Sequence, residues 1–160
     1  MDEIESCFVL IESIASVLED FCRDVSNESM PISKFHACIL PSISLAEYLH
    51  RLQQYLDLSN QCWILAFIYV DQLSAKLLCS LSAHRLVLTC AMLAAKFHLD
   101  DMPDNAYFAK VGGISTKELN QLEMEALWLM EFHLWIDEYD FDEYEQNLWE
   151  RAPKESHGCR

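Results

Sequence analysis

The chain has 160 residues, 52% of them hydrophobic, with only 3 Gly and 4 Pro. That composition excludes a turn-rich all-β or α/β fold and predicts one helical domain large enough to bury its own core. A net charge of −15 leaves no basic patch for phosphates, so neither nucleic acid nor an anionic membrane surface is an expected partner.

The charge is uneven. Residues 1–28 hold eight acids and one base, residues 137–160 hold eight acids and three bases, and the middle is nearly neutral. Acidic ends of this kind keep a chain in solution or attract a basic protein partner. The seven cysteines (7, 22, 38, 62, 79, 90 and 159) form no CxxC pair, and most lie inside apolar helical patterns, where a free thiol behaves as a small hydrophobe. This usage implies a reducing compartment. Met1 to Ser6 carries three acids where a secretory signal carries bases, and the longest apolar run, Cys62 to Val70, is too short to cross a bilayer. The expected location is intracellular, cytoplasmic or nuclear.

In chain order, apolar residues at Ile4, Phe8, Ile11, Ala15, Leu18, Cys22 and Val25 predict an amphipathic helix over 4–25. A connector with Pro31 and Pro41 follows, holding a short turn around Lys34 to Ile39. Ser44 with Glu47 is a capping box that opens a helix to about Leu56. Gln61 to Leu78 is apolar nearly all round, as a central core helix must be. Ser82 is placed to cap a helix from Ala83 to about Leu99, which Asp100, Asp101 and Pro103 end. Asp104 to Val111 predicts a short helix stopped by Gly112 and Gly113, and Ser115 with Glu118 opens another to about Phe132. An acidic helix with Phe141, Tyr144, Leu148 and Trp149 at helical spacing comes last, before a polar tail, 152–160, expected to be disordered.

Three observations single out candidate functional residues. Asp71 lies in an apolar run and requires a cation; Arg51 on the preceding helix is the candidate, as a structural ion pair. Glu123 shares a stripe with Leu119, Leu127 and Met130, and Lys96 lies in line with Met92 and Leu99. Periodicity alone leaves two readings for the latter pair: solvated edge residues, or charges awaiting a partner on another protein.

Four separated segments, PSISLAEYLHRL (41–52), ILAFIYVDQL (64–73), LSAHRLVLTCAMLAAKF (81–97) and NAYFAKVGGISTKELNQLEMEAL (105–127), together resemble the cyclin box, most of all that of the P/U-type cyclins, the phosphate-regulatory group that activates a cyclin-dependent kinase. The resemblance implies a single five-helix box over 38–135; the helix and linker over 1–30 and the acidic helix over 138–151 lie outside it and rest on periodicity, and together they make an all-α chain. It also implies that the third and fifth box helices dock on the regulatory helix of a kinase, with Lys96 and Glu123 bonding main-chain groups there and Leu93, Phe97, Leu127, Phe132 and Leu134 supplying apolar contact. The family's buried Arg and Asp match Arg51 and Asp71. Counted from that Arg, the Met and Trp that help form a substrate groove in many cell-cycle cyclins are here His50 and Asp57, and the common Asp-Arg is Asp71-Gln72.

The function so implied is that of a regulatory subunit, a monomer when unbound, which binds and activates a cyclin-dependent protein kinase. The alternative is a cyclin-fold adaptor or scaffold without a kinase. Catalysis by the chain itself is not expected: no HExxH, CxxC or Gly-rich phosphate loop is present, and neither a metal nor another cofactor is implied.

Overall fold

The computed structural model describes residues 2–26 and 30–153, and among these every regular element is a helix. In chain order they are α1 (Glu3–Asp24), α2 (Leu45–Leu56), α3 (Asn60–Leu77), α4 (Ala83–His98), α5 (Asn105–Gly112), α6 (Thr116–Leu129) and α7 (Glu138–Arg151). The all-α architecture is the one the sequence implies. The tail expected to be disordered lies outside the described residues from 154 onward.

Helix α3 is the centre. Its residues Cys62 to Val70 are all buried, which explains why its sequence is apolar on every side rather than along one stripe. It packs most extensively against α4, in which Ala91, Ala94 and Ala95 are fully buried. Around this pair, α1 and α2 cover one side, α5 and α6 another, and α7 lies across α1 and α3. Fully burying each Leu or Ile of such a core contributes about 1.5–3 kcal/mol.

Capping follows the sequence at most helix starts. Ser44, Ser59, Asp104, Ser115 and Asp137 each accept a hydrogen bond from a backbone N–H in the first turn of the helix that follows. Ser82 is the exception. Its hydroxyl is buried and turns back to the carbonyl oxygen of Leu77 while accepting from Cys79 N–H, so it closes the α3–α4 corner instead of capping α4. The corner's own orphan groups compete for the hydroxyl and win it.

The connector before α2 is also tied down. Phe35 is fully buried, the Lys34–Phe35 turn is where one was expected, and Ala37 N–H donates to Leu81 O at 2.8 Å. The imidazole of His36 accepts from Ser33 N–H through Nδ1 and faces the Cys79 thiol through Nε2 at 3.4 Å. Among the described residues six cysteines are free, all buried except Cys38.

Helix α7 is fastened from its middle to its C-terminal end. Ser13, buried in α1, donates to Leu148 O at 2.6 Å, and Tyr144 OH donates to Asp71 Oδ2 at 2.5 Å. Arg151 pairs with Asp20 on α1.

Gly112 and Gly113 have different reasons for being glycine. Gly113 ends α5 in the left-handed region at φ 78°. Gly112 instead makes room, since a Cβ there would lie 2.2 Å from Leu88 Cδ2. Leu88 is fully buried, so the Gly112→Ala variant must displace a packed side chain and should lose about 1–3 kcal/mol in urea unfolding. A second prediction concerns pH. His84 donates Nε2–H to Ile43 O at 2.8 Å, its Nδ1 is buried without a partner, and burial holds its pKa below 6.5. The unfolded chain therefore takes up this proton first, and stability should fall as pH drops below 6.5 towards the folded-state value. His98, also lowered by burial, acts in the same direction. Urea titrations at several pH values should show a shallower acid loss in His84→Gln than in the parent.

Candidate docking face on α4 and α6

Three features bring the end of α4 beside α6. The α3–α4 packing fixes α4, Gly112 lets α5 sit against Leu88, and α5 then delivers the chain to the Ser115 cap of α6. Arg85 Nε and Glu118 Oε1, at 2.6 Å, tie the early turns of the two helices together.

Lys96 and Glu123 face each other across the later turns, with Nζ 2.5 Å from Oε1. Their side chains are 35% and 15% exposed, so the pair lies at the surface and is not sealed in the domain. Asn105 at the start of α5 donates to the second carboxylate oxygen at 2.9 Å and to Asn120 Oδ1 at 2.7 Å. Both oxygens of Glu123 are thus engaged, which fixes its rotamer. Each oxygen retains a lone pair, and Lys96 has two further N–H donors.

Apolar side chains flank the pair. Phe97 follows Lys96 in the chain and Met124 follows Glu123, and both are exposed. Trp128 is 67% exposed, one turn beyond Met124, and it meets Phe132 edge to face with ring centroids 5.3 Å apart. Trp135 is exposed as well. Leu127 and Leu134 are half-buried and pack on the core. Aromatic side chains exposed together in this way are uncommon on a monomer's surface.

The segment that carries Phe132 is held in an unusual conformation. The helix predicted to run to Phe132 ends at Leu129, and Glu131 and Phe132 both adopt left-handed backbone, at φ 53° and 58°. Each costs about 1–2 kcal/mol in a non-glycine residue. The turn is closed by Glu131 N–H to Trp128 O at 3.0 Å and Phe132 N–H to Leu127 O at 2.9 Å. Beyond it, Tyr69 OH donates to Leu134 O at 2.6 Å; burial pushes the phenol's pKa upward, so the donor keeps its proton.

Two expectations require correction. Leu93, expected at a partner contact, is only 2% exposed and lies among the buried residues of α4. Arg51 and Asp71 are not a pair. Both are exposed, no ion pair joins them among the described residues, and Asp71 accepts from Tyr144 instead. The face of α3 that bears Asp71 and Gln72 is not covered by α2, so the carboxylate never entered the core that was thought to require a cation.

Sequence reasoning missed Asn105, Asn120, Met124, Trp128 and Trp135. A signal for two of them was present: Met124 and Trp128 form an i, i+4 apolar row beside the Leu119–Leu127 stripe, wider than one packing face needs. Among the described residues, no three potential ligands are grouped to hold a metal ion, and no helix is long and apolar enough to cross a membrane.

The family model described as Cyclin matches residues 6–134 of this chain. Cyclin-U4-1 of Arabidopsis thaliana is 39% identical over 158 residues, covering 90% of this chain and 78% of its own length. Cyclin-U3-1 of the same plant is 46% identical over 104 residues, or 63% of this chain and 47% of its own. Cyclin-P1-1 of Oryza sativa subsp. japonica is 34% identical over 119 residues, 72% of this chain and 45% of its own. The chain thus spans about half the length of the last two. With the helical fold, this likeness along most of its residues shows that the chain belongs to the cyclin family, as a cyclin-box protein of the P/U type with a regulatory role.

Proposed function

We propose that this chain is the regulatory subunit of a cyclin-dependent protein kinase inside the cell, and that it binds and activates the kinase through the face built by α4, α6 and the segment after α6. The observation that carries this reading is the Lys96–Glu123 pair, partly exposed beside Phe97, Met124, Trp128 and Phe132. Family membership supports the same partner class.

The chemistry follows from what the pair has left to offer. Lys96 donates to carbonyl oxygens and Glu123 accepts from amide N–H groups, so together they match main-chain groups at the ends of a helix or beside it. The apolar rings around them exclude water from those bonds, and a charged bond counts for more when dry. Phe97, Phe132, Leu127 and Leu134 provide the surrounding contact.

Activation requires no reaction on this chain. A face that binds only the kinase conformation with its regulatory helix swung inward shifts the kinase towards that state by the difference in affinity. The glutamate of that helix then reaches the catalytic lysine, and phosphoryl transfer becomes competent.

Replacing Lys96 or Glu123 by Ala should weaken the complex by about 2 kcal/mol or more, measured by titration calorimetry with a co-purifying cyclin-dependent kinase. The isolated chain should lose less than about 1 kcal/mol, because a partly exposed pair contributes little on its own. An unchanged affinity in both variants would refute the docking face. Kinase assays on the same samples separate activation from scaffolding: binding without a rise in peptide phosphorylation identifies an adaptor.

A further inference from the structure

The net charge of −15 conceals a small basic surface that only the fold assembles. Among the described residues Arg23, Lys34, Arg85, Lys96 and Arg151 each pair with a carboxylate, whereas Arg51, Lys76, Lys110 and Lys117 pair with none. In a chain with 26 acids and 11 bases, a cation left without a carboxylate is the exception. All four but Lys76 lie on α2, α5 and the first turn of α6.

Two hydrogen bonds fix how α2 and α5 lie together. Tyr107 OH donates to Tyr55 O at 2.7 Å, and Tyr48 OH donates to Gly112 O at 2.8 Å. The start of α5 thus meets the end of α2, and the reverse, so the two helices run antiparallel. Arg51 comes three residues after Tyr48 and four before Tyr55, and Lys110 comes three after Tyr107; such spacings share a helix face with those tyrosines. Both cations are exposed, and they stand at the same level on either side of the seam between α2 and α5.

The surroundings add to this pair. Burial pushes the pKa of the Tyr48 phenol upward while Arg85 and then Arg51 pull it down, which places both guanidiniums near the hydroxyl that ties α2 to Gly112. Arg85 is neutralised by Glu118 at 2.6 Å, and Arg51 is not neutralised. Beyond the Gly112–Gly113 corner, Lys117 contributes a third exposed cation. Tyr55 and Tyr107, 54% and 37% exposed, lie at the other end of the seam. Glu47 stands one turn before Arg51, but no ion pair joins them among the described residues.

We propose that the seam between α2 and α5 binds a short acidic segment of a partner protein other than the kinase. One carboxylate of the segment takes the fork of Arg51 through two N–H bonds, a second meets Lys110, and the main chain rests on Tyr55 and Tyr107. Charge complementarity selects this occupant. Three cations are too few to hold a nucleic acid against the field of a chain at −15, since phosphate affinity grows with the number of contacts. A second copy would bring the same −15 with it. The seam shares no residue with the face on α4 and α6, so both surfaces are available at once.

The test uses fluorescence anisotropy on the full chain, with fluorescein-labelled alanine-based peptides that each carry four glutamates and one leucine in varied order. Control peptides replace the glutamates by glutamines. At least one acidic peptide should bind in the micromolar range and the controls about tenfold more weakly, with affinity falling as salt rises. Arg51→Gln and Lys110→Gln, both at exposed positions, should each weaken binding about threefold or more, and together about tenfold or more, with unchanged thermal melting. Lys76→Gln removes an equally unpaired cation elsewhere and should leave the affinity as it was. Failure of every acidic peptide to bind overturns the proposal. So does equal binding of the controls, an equal loss in Lys76→Gln, unaltered affinity in the double variant, or tighter binding of a labelled oligothymidylate. A concentration-dependent dimer in sedimentation that the double variant abolishes also overturns it. If the double variant no longer forms the kinase complex, the seam belongs to the kinase contact and the proposal falls; a complex that forms normally keeps the result independent of the face on α4 and α6.

Discussion

The contact between α3 and α4 is the constraint on which the rest of the molecule depends. One helix offers apolar side chains in every direction, the other buries most of its length, and close packing of the two holds them in one register. Everything that bears on function is then attached to this pair. The last turn of α4 presents Lys96, the short α5 brings the chain around through the close approach of Gly112 to Leu88, and α6 supplies Glu123 at 2.5 Å. An error of one turn in α4 would separate the two charges.

Buried polar bonds and exposed aromatic rings occupy different parts of the molecule. Around the core, polar groups are used to close corners: Ser82 at α3–α4, Tyr48 donating to Gly112 O at 2.8 Å, and Ser13 holding α7. These bonds are buried, and their loss would leave an orphan group. On the face of α4 and α6 the opposite holds. Aromatic rings stay exposed, and two successive residues, Glu131 and Phe132, keep left-handed backbone with no glycine to ease it. Local strain of this kind persists only where the surrounding structure sustains it.

Helix α7 lies beyond the residues matched to the family and yet is integral to the fold. Its acidic side faces solvent while Leu148 is buried and Tyr144 reaches Asp71 on α3. This contact removes Asp71 from the role that the sequence suggests for it. An exposed carboxylate with a phenol for a partner needs no buried guanidinium, and Arg51 remains in solvent.

The sequence by itself determined the helical class, the order of seven helices and nearly all their starts, because hydrophobic period and caps such as Ser44, Asp104 and Ser115 are local properties of the chain. It also placed Lys96 and Glu123 on faces that would meet, since family motifs carry that information in their order. Only the tertiary structure decided what depends on neighbours distant in sequence. Asp71 was free to stay at the surface, Ser82 was drawn to Leu77 instead of α4, Leu93 went inside, and α6 stopped a turn early at a left-handed step that no glycine announces. Periodicity says which side of a helix is apolar. It does not say how far the domain beneath extends to cover that side, and so Trp128 on α6 and Ile4 on α1 were left exposed by packing that the local pattern does not encode.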